Sequence, residues 1–238
     1  MTDPWSEIML DAADGISGTY YIEREDGKVE TLEVSDYIKS YSEWPEIEKI
    51  AIKHARGKVL DVGCGAGRVA IYLQILGHEV VGIDLASGAI EASRRMGLGR
   101  GYVMSVSDLK FEDDIFDTIV FFGNNFGIAG GEKQIITMLK HIHKFTVPDA
   151  IILAESLDPL HSDAPEHLKY HEMNRKRNRP PGLIRLRVKY KEQVGDWSDL
   201  WLTTPDEMEM LAEKGGWWLK EILQIEGQSQ YVGILTKS

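Results

Sequence analysis

Cysteine is nearly absent from this sequence, since Cys64 is the single one among 238 residues. One cysteine cannot form an intramolecular disulfide, which is compatible with a reducing compartment. Long hydrophobic runs are also missing, and the first residues carry neither a basic segment nor an apolar signal core. These absences predict a cytoplasmic protein without a membrane-spanning segment.

Basic residues are outnumbered, because 27 Lys and Arg stand against 38 Asp and Glu and give a formal net charge of −11. Such a field repels nucleic acid and disfavours it as a partner. The length and the hydrophobic fraction of 43% are typical of one enlarged globular domain. We therefore expect a small-molecule substrate rather than a polynucleotide.

Three alternating glycines interrupt an apolar run in the first third of the chain. Residues 58–62 are suited to a strand buried on both faces, and the apolar spacing after residue 68 is helical. Between them, Gly63, Gly65 and Gly67 permit unusual dihedral angles and close approach of the backbone to a ligand. The pattern predicts a strand, a tight turn and a helix, with a ligand above the carboxyl end of the strand.

Two ligands are compatible with these glycines. The segment from Gly65 through Gly67 to Ala70, with Asp84 about twenty residues on, fits the fingerprint of dinucleotide-binding proteins. An NAD-dependent oxidoreductase is therefore one alternative. Asp61 at the strand end favours another ligand, because a carboxylate opposes a pyrophosphate and attracts a cofactor with an ammonium and a sulfonium group.

The segment from Asp61 through Gly63 and Gly65 to Gly67 resembles the first motif of the class I S-adenosylmethionine-dependent methyltransferases. That motif is an acidic residue followed by Gly-x-Gly-x-Gly. The resemblance implies S-adenosylmethionine as cofactor, with these four residues in contact with it. It also implies a doubly wound, Rossmann-like α/β sheet of strand order 3-2-1-4-5-7-6, whose last strand is antiparallel.

A second buried strand, residues 78–84, ends on Asp84, where a carboxylate can accept both hydroxyl groups of a ribose. By the resemblance, Asp84 is the ribose-binding residue, and its neighbour Leu85 belongs to the cofactor contacts. Ser87 is expected to cap the helix that follows. After the third strand, the resemblance assigns Asp108 to the adenine amino group and Leu109 to the adenine ring.

The loop after the fourth strand, residues 123–127, should face the transferred methyl group. It differs from the Asn/Asp-Pro-Pro-Tyr motif of many methyltransferases that act on a base amino group, which disfavours base or glutamine methylation. Asn124 and Asn125 are candidates to orient an acceptor, although their amides are equally suited to the backbone of the turn. Glu155, His161 and Tyr170 are candidate general bases, and the pattern does not choose among them.

About forty-five residues, 157–203, lie where an α/β unit normally has a short connection. We expect this insertion to contain a β-hairpin and to specify the substrate. Its basic residues between 175 and 191 are either an anion-binding face or cations paired with nearby carboxylates. His167 and His171 lie one helical turn apart but lack a clear third ligand, so no metal is predicted.

The expected organisation is an N-terminal cap, residues 1–45, followed by a methyltransferase domain, residues 46–238, that contains the insertion 157–203. The predicted function is in-line methyl transfer from S-adenosylmethionine to a small-molecule acceptor, and the basic insertion makes an anionic acceptor one option. The alternatives are an NAD-dependent oxidoreductase and a protein that binds S-adenosylmethionine without catalysis. The cap should contribute a tyrosine near the cofactor, with Tyr20, Tyr21, Tyr37 and Tyr41 as candidates.

Overall fold

A seven-stranded sheet forms the centre of the protein in a computed structural model that describes residues 3–112 and 115–237. The strand order is β11-β12-β7-β6-β3-β4-β5. These strands are β3 (Lys58–Val62), β4 (Glu79–Asp84), β5 (Gly101–Val103), β6 (Phe116–Phe121), β7 (Thr146–Leu157), β11 (Trp217–Gln224) and β12 (Gln230–Lys237).

The order of the strands confirms the predicted topology. Numbered along the chain as seven core strands, it is 3-2-1-4-5-7-6. The first five strands run parallel, whereas β12 is antiparallel to both β7 and β11. The carboxyl ends of β3, β4, β6 and β7 therefore lie on one edge of the sheet, which is where a doubly wound fold binds its ligand.

Helices cover both faces of this sheet. Ile119 and Phe121 of β6 contribute to one apolar cluster, and the alternate residues Val120 and Phe122 contribute to the other. The first cluster contains residues of α5 (Glu132–Lys144) and α7 (Pro205–Gly215), and the second contains residues of α2 (Glu46–Ala51) and α3 (Arg68–Ile75). Helix α7 begins with a capping box between Thr204 and Glu207.

A second sheet, of order β10-β8-β1-β2, joins the N-terminal segment to the insertion. Its strands are β1 (Thr19–Arg24), β2 (Val29–Glu33), β8 (Leu183–Tyr190) and β10 (Ser198–Trp201), with the short β9 (Gln193–Val194) beside β8. The antiparallel pair of β8 and β10 is the predicted hairpin. The pairing of β1 with β8 was not predicted, because it joins residues more than 150 positions apart in the chain.

Helix α1 (Pro4–Ala13) connects the two sheets. It packs on α4 (Ser87–Arg95), and Ser6 Oγ accepts a hydrogen bond from the backbone N–H of Gly88 at 3.0 Å. The expected cap by Ser87 is wrong, since Ala86 is the N-cap residue and makes no side-chain cap bond. On its other side, Asp11 accepts a 2.6 Å hydrogen bond from the hydroxyl of Tyr190 in β8.

The remaining helix, α6 (Pro165–Lys176), lies within the insertion. None of the helices in the described parts of the chain is both long enough and apolar enough to cross a membrane.

Candidate functional site

The turn between β3 and α3 has the backbone that the glycines predict. Gly63 and Gly65 have φ angles of 72° and 54°, a region that side chains with a Cβ atom rarely adopt. The backbone N–H groups of Gly63 and Cys64 donate to the carbonyl of Ile83 at 2.9 and 3.0 Å. This turn therefore lies beside the carboxyl end of β4.

Asp84, the last residue of β4, holds the glycine turn in place. Its Oδ2 atom accepts a hydrogen bond from the Gly65 N–H at 3.0 Å, and its Oδ1 atom accepts one from the Ala86 N–H at 2.9 Å. Burial raises the pKa of this carboxyl, and these two backbone donors oppose the rise. Leu85, which follows, is 73% exposed. Asp84 and Leu85 thus lie together beside the turn.

Asp61 is buried at the end of β3, with 2% of its surface exposed. Its Oδ2 atom has no hydrogen-bond partner among the described residues. Burial raises the pKa of Asp61 to about 7, and the charge of Arg68 is the largest opposing effect. A buried carboxylate oxygen without a donor is costly unless a ligand supplies one.

A buried ion pair lies next to Asp61. The guanidinium of Arg68, at the start of α3, donates two hydrogen bonds of 2.6 and 2.7 Å to Glu48 of α2. Glu48 is only 1% exposed, and Glu155 at the end of β7 is fully buried. Burial, and then the charge of Glu48, raise the pKa of Glu155. Three carboxyl groups thus share the field of one arginine.

The loop after β6 contacts the glycine turn through Asn125. The amide nitrogen of Asn125 donates to the carbonyls of Val62 and Gly63, both at 3.1 Å. A Cβ atom on Gly63 would lie 2.4 Å from that nitrogen, so a larger residue there requires the Asn125 side chain to move. Asn124, with a φ angle of 64°, presents a buried Oδ1 atom that has no partner in the described structure.

The N-terminal residues cover the glycine turn. A Cβ atom on Gly65 would lie 3.4 Å from Sδ of Met9 and 3.5 Å from the ring of Tyr37. The hydroxyls of Tyr37 and Tyr20 are 2.9 Å apart. The other two candidate tyrosines lie elsewhere: Tyr21 is 42% exposed, and Tyr41 stacks on Tyr72 with ring centroids 4.4 Å apart.

Three of the predicted residues lie further from these contacts. Asp108 is exposed in the turn after β5, where it pairs with Lys110 at 2.9 Å. Leu109 is partly buried against the central apolar cluster. His161 is exposed at the end of a short helical turn in the insertion. The structure thus brings Asp61, Asp84 and the loop asparagines close to the glycine turn, and leaves these three side chains outside that network of hydrogen bonds.

Carboxylates of the N-terminal segment pair with most of the basic residues of the insertion. Glu23 pairs with Arg187 and Lys189 at 2.5 and 2.7 Å, and Glu25 pairs with Arg177 and Arg179 at 3.2 and 3.0 Å. Lys191 pairs with Glu7 and Asp11. These pairs hold the cap and the insertion together, and they neutralise most of the charge that the sequence concentrates there.

The two histidines of α6 have different surroundings. His167 lies 3.0 Å from the hydroxyl of Ser162 through Nδ1, and its Nε2 atom contacts the amine of Lys28. His171 is buried. Within residues 3–112 and 115–237, no group of three or more His, Cys, Asp or Glu side chains is arranged to hold a metal ion.

Several residues of the site carried no signal in the sequence. Glu48 reads as one of many charged helix residues, and Gln230 as part of the terminal hairpin. Neither Arg68 nor Met9 belongs to a motif that points to the site. Their roles depend on contacts between segments that are distant in the chain, which spacing along one segment does not encode.

The fold and this site define a Rossmann-like protein that binds its ligand at the carboxyl ends of parallel strands, over a glycine turn flanked by two carboxylates. A family described as "Methyltransferase domain" matches residues 59–149 of the chain. These residues include the glycine turn, Asp84 and the loop after β6.

Named relatives are also methyltransferases. The chain is 36% identical over 83 residues to a 2-heptyl-1-hydroxyquinolin-4(1H)-one methyltransferase of Mycobacteroides abscessus, which covers 32% of this chain and 37% of that protein. It is 27% identical over 101 residues to a ubiquinone biosynthesis O-methyltransferase of Rickettsia conorii, with 41% and 35% covered. The alignments therefore span less than half of the length of these relatives.

A solved structure resembles the whole chain. The S-adenosylmethionine-dependent methyltransferase from Bacteroides fragilis, in complex with S-adenosylhomocysteine, has a TM-score of 0.84 and covers 100% of this chain and 95% of its own. At 24% identity this likeness concerns the fold. Residues 59–149 thus match a methyltransferase domain, and the whole chain has the fold of an S-adenosylmethionine-dependent methyltransferase.

The residues at the turn fit this cofactor. Asp61 has an unpartnered buried oxygen at the strand end, and an ammonium group there would supply a donor and relieve the cost of burying that carboxylate. Asp84 is positioned beside Gly65, and each of its oxygens retains a lone pair for a ribose hydroxyl. Both carboxylates favour a cationic ligand over a pyrophosphate. The charges of Asp61 and Asp84 therefore agree with the match to a methyltransferase domain.

The free energy of unfolding should depend on the ionisation of Asp61. The folded-state pKa of about 7 is above the ordinary value of 3.8, so the unfolded chain releases this proton at lower pH. The contribution of Asp61 to stability is thus complete below about pH 4 and is lost as pH rises towards 7, by at most about 1.4 kcal/mol per pH unit.

We therefore expect Asp61→Asn to be close to the wild type in stability at pH 4 and to exceed it at pH 8, as measured by urea unfolding without cofactor. Asp108→Asn is the control, because that carboxylate is exposed. If the free energy of unfolding of Asp61→Asn varied with pH as that of the wild type does, the result would contradict an uncompensated charge at this position.

Proposed function

We propose that the protein transfers a methyl group from S-adenosylmethionine to a small-molecule acceptor bound beside the loop 123–127. The observation that carries the proposal is the glycine turn with Asp61 and Asp84, next to a loop that offers an unpartnered amide oxygen at Asn124. The donor supplies an electrophilic methyl group on a sulfonium centre. The chain's residues then need to align the acceptor with that methyl group and exclude water.

The second sheet supports a small acceptor. The backbone of β10 packs directly on the loop: a Cβ atom on Gly127 would lie 1.9 Å from the carbonyl oxygen of Trp201. On the other side, α1 reaches Gly65 and is tied to β8 through Asp11 and Tyr190. Strand β10 and helix α1 thus contact the acceptor loop and the glycine turn, respectively. This closed arrangement suits a compact substrate rather than a polymer.

Asn124 supports an acceptor that donates a hydrogen bond. Its Oδ1 atom is buried without a partner among described residues. An amide oxygen accepts hydrogen bonds but cannot donate them. We therefore infer that the acceptor carries an N–H or O–H group near the methylated atom.

An anionic acceptor is the finer part of this proposal. Most insertion cations are engaged by carboxylates, but Arg185 is 3.9 Å from its partner Asp199, a looser pair than those of Glu23. Asp199 contacts Gly130 just beyond the loop, so Arg185 belongs to the side of β8 that adjoins the acceptor region. Arg185 is the side chain best placed to receive a carboxylate or phosphate of the substrate.

The test has two stages. Calorimetric titration with S-adenosylmethionine, S-adenosylhomocysteine and NAD should give binding of the two adenosyl ligands and none of NAD. Binding of NAD alone would overturn the proposal in favour of an oxidoreductase, the alternative that the glycine frame leaves open.

The second stage is turnover with donor carrying a labelled methyl group, and a panel of phenols, alcohols and amines, each with and without a carboxylate. Label transfer to a panel member supports the enzyme, and preference for the carboxylated form supports an anionic acceptor. Cofactor binding without transfer to any member of a broad panel would favour a non-catalytic binding protein.

A further inference from the structure

A chain of hydrogen bonds crosses four adjacent strands at the edge of the sheet that holds the carboxyl ends of β3, β6 and β7 and the amino end of β12. Gln230 of β12 donates through its amide to Oε1 of Glu155 in β7, and Oε2 of Glu155 accepts from the Gly123 N–H at 2.7 Å. Two residues on, Asn125 donates to the carbonyls of Val62 and Gly63 at the end of β3. Because β12, β7, β6 and β3 are neighbours, the chain links the terminal hairpin to the cofactor turn.

Glu155 is the centre of this chain and is enclosed on every side. Its side chain is fully buried, and both of its oxygens are engaged by protein donors. The charged groups that face it are Glu48 of α2, whose charge raises its pKa, and Arg68 of α3, whose charge lowers it. A fully buried carboxyl group whose oxygens are both engaged is poorly placed to take a proton from a substrate, so a general-base role does not fit its contacts.

The loop that Glu155 holds has an unusual backbone. Gly123 and Asn124 are consecutive residues with φ angles of 72° and 64°, a left-handed region that glycine and asparagine adopt more readily than other residues. Glu155 holds Gly123 by accepting a hydrogen bond from the Gly123 N–H. Asn125, which follows Asn124, is held against β3 by its side-chain amide. The orientation of the Asn124 amide depends on both contacts.

We propose that Glu155 is a positioning residue that sets the acceptor loop 123–127 in register with the glycine turn. The proposal rests on the proposed function, because it assigns Glu155 a part in methyl transfer through Asn124. The length of the side chain and its acceptor oxygen matter in this role, whereas its negative charge does not. A general base, in contrast, would require the negative charge of the carboxylate.

Two substitutions separate these requirements. Glu155→Gln keeps the length and one acceptor oxygen for Gly123, and its amide can donate to Gln230 after that side chain's amide turns over. Glu155→Asp keeps the charge but withdraws the carboxylate from Gly123 by the length of one methylene group. Neither removes enough volume to create a large cavity, so both proteins are expected to fold.

The first readout needs no acceptor. Amide hydrogen exchange of the peptide containing residues 122–128, followed by mass spectrometry with saturating S-adenosylhomocysteine, reports whether the loop is held. We expect Glu155→Asp to speed exchange there about tenfold and Glu155→Gln to leave it unchanged. The dissociation constant for S-adenosylhomocysteine should stay the same in both proteins.

The second readout is kcat and KM with the acceptor that the panel identifies. Glu155→Asp should lose about 100-fold in kcat/KM, mainly in kcat, because a displaced acceptor no longer meets the methyl group in line. Glu155→Gln should stay close to the wild type. A strong loss in Glu155→Gln with retention in Glu155→Asp would overturn the proposal in favour of a base.

The two proposals fail in distinguishable ways. If the wild type binds no adenosyl ligand, the proposed function fails, whereas loop exchange in the ligand-free proteins still tests the hold of Glu155 on Gly123. If the wild type is active and Glu155→Asp shows unchanged loop exchange and turnover, the positioning role fails alone. Parallel loss of cofactor affinity and loop protection in Glu155→Asp would indicate general disruption and also overturn it.

Discussion

Asp84→Ala is expected to weaken the binding of S-adenosylmethionine by about 100-fold or more. A hydrogen bond from a hydroxyl to a carboxylate contributes roughly 1.5 to 3 kcal/mol, and a ribose offers two hydroxyls. The substitution also removes the acceptors of the Gly65 and Ala86 N–H groups, which shape the turn. Calorimetric titration of the variant with S-adenosylmethionine measures the loss.

Asp149→Ala is the matched control for this prediction. Asp149 is a strand carboxylate, paired with Arg56, near the amino end of β7 and hence at the opposite edge of the sheet. Its removal should leave cofactor affinity unchanged. Asp84→Asn, which retains one acceptor oxygen, should fall between the wild type and Asp84→Ala. Wild-type affinity in a folded Asp84→Ala protein would remove Asp84 from the cofactor site.

Arg68→Met is expected to lower the free energy of unfolding by about 3 to 5 kcal/mol near neutral pH. Its guanidinium makes two hydrogen bonds to the buried Glu48 and lies in the field of Asp61 and Glu155. Methionine preserves most of the volume but leaves three buried carboxyl groups without a cation. Urea unfolding at pH 7.5 gives the difference from the wild type.

The destabilisation caused by Arg68→Met should be smaller at a pH at which the neighbouring buried carboxylates can take up protons. We expect a smaller loss for Arg68→Met at pH 5.5 than at pH 7.5, and partial recovery when Glu48→Gln is added. Arg95→Met is the control, because Arg95 pairs with Glu91 on an exposed helix face, where the pair contributes about 0 to 1 kcal/mol. Equal losses of the free energy of unfolding in Arg68→Met and Arg95→Met would contradict a buried cluster of charges around Arg68.

The sheet topology could be predicted because each step rested on a short segment. Residues 58–68 carry both the strand pattern and the glycines, and the structure places a strand, a left-handed turn and a helix there. The capping box from Thr204 to Glu207 is likewise a local feature, because it depends on four consecutive residues. Where several local options existed, as at Ser87, pattern alone chose wrongly, because Ser6 of another helix supplies the acceptor.

The basic residues of the insertion show the limit of composition. Arg187 and Lys189 alternate with apolar residues, which correctly indicates a strand with two different faces. The sequence left open whether that charge is available to a ligand. The structure pairs both with Glu23 because β1 lies beside β8, and no pattern in either strand announces the other as its neighbour.

The sequence by itself determined the strands, the glycine turn and the two carboxylates that follow buried strands, because each depends on residues close together in the chain. Only the tertiary structure decided that Glu48 meets Arg68, that Gln230 and Gly123 share Glu155, and that the cap joins the insertion in one sheet. These contacts follow from strand order, register and the depth of burial. Such properties come from how all the segments pack together. An apolar stripe or a charged residue can pair with many partners, and the packing of the other segments determines which partner it meets.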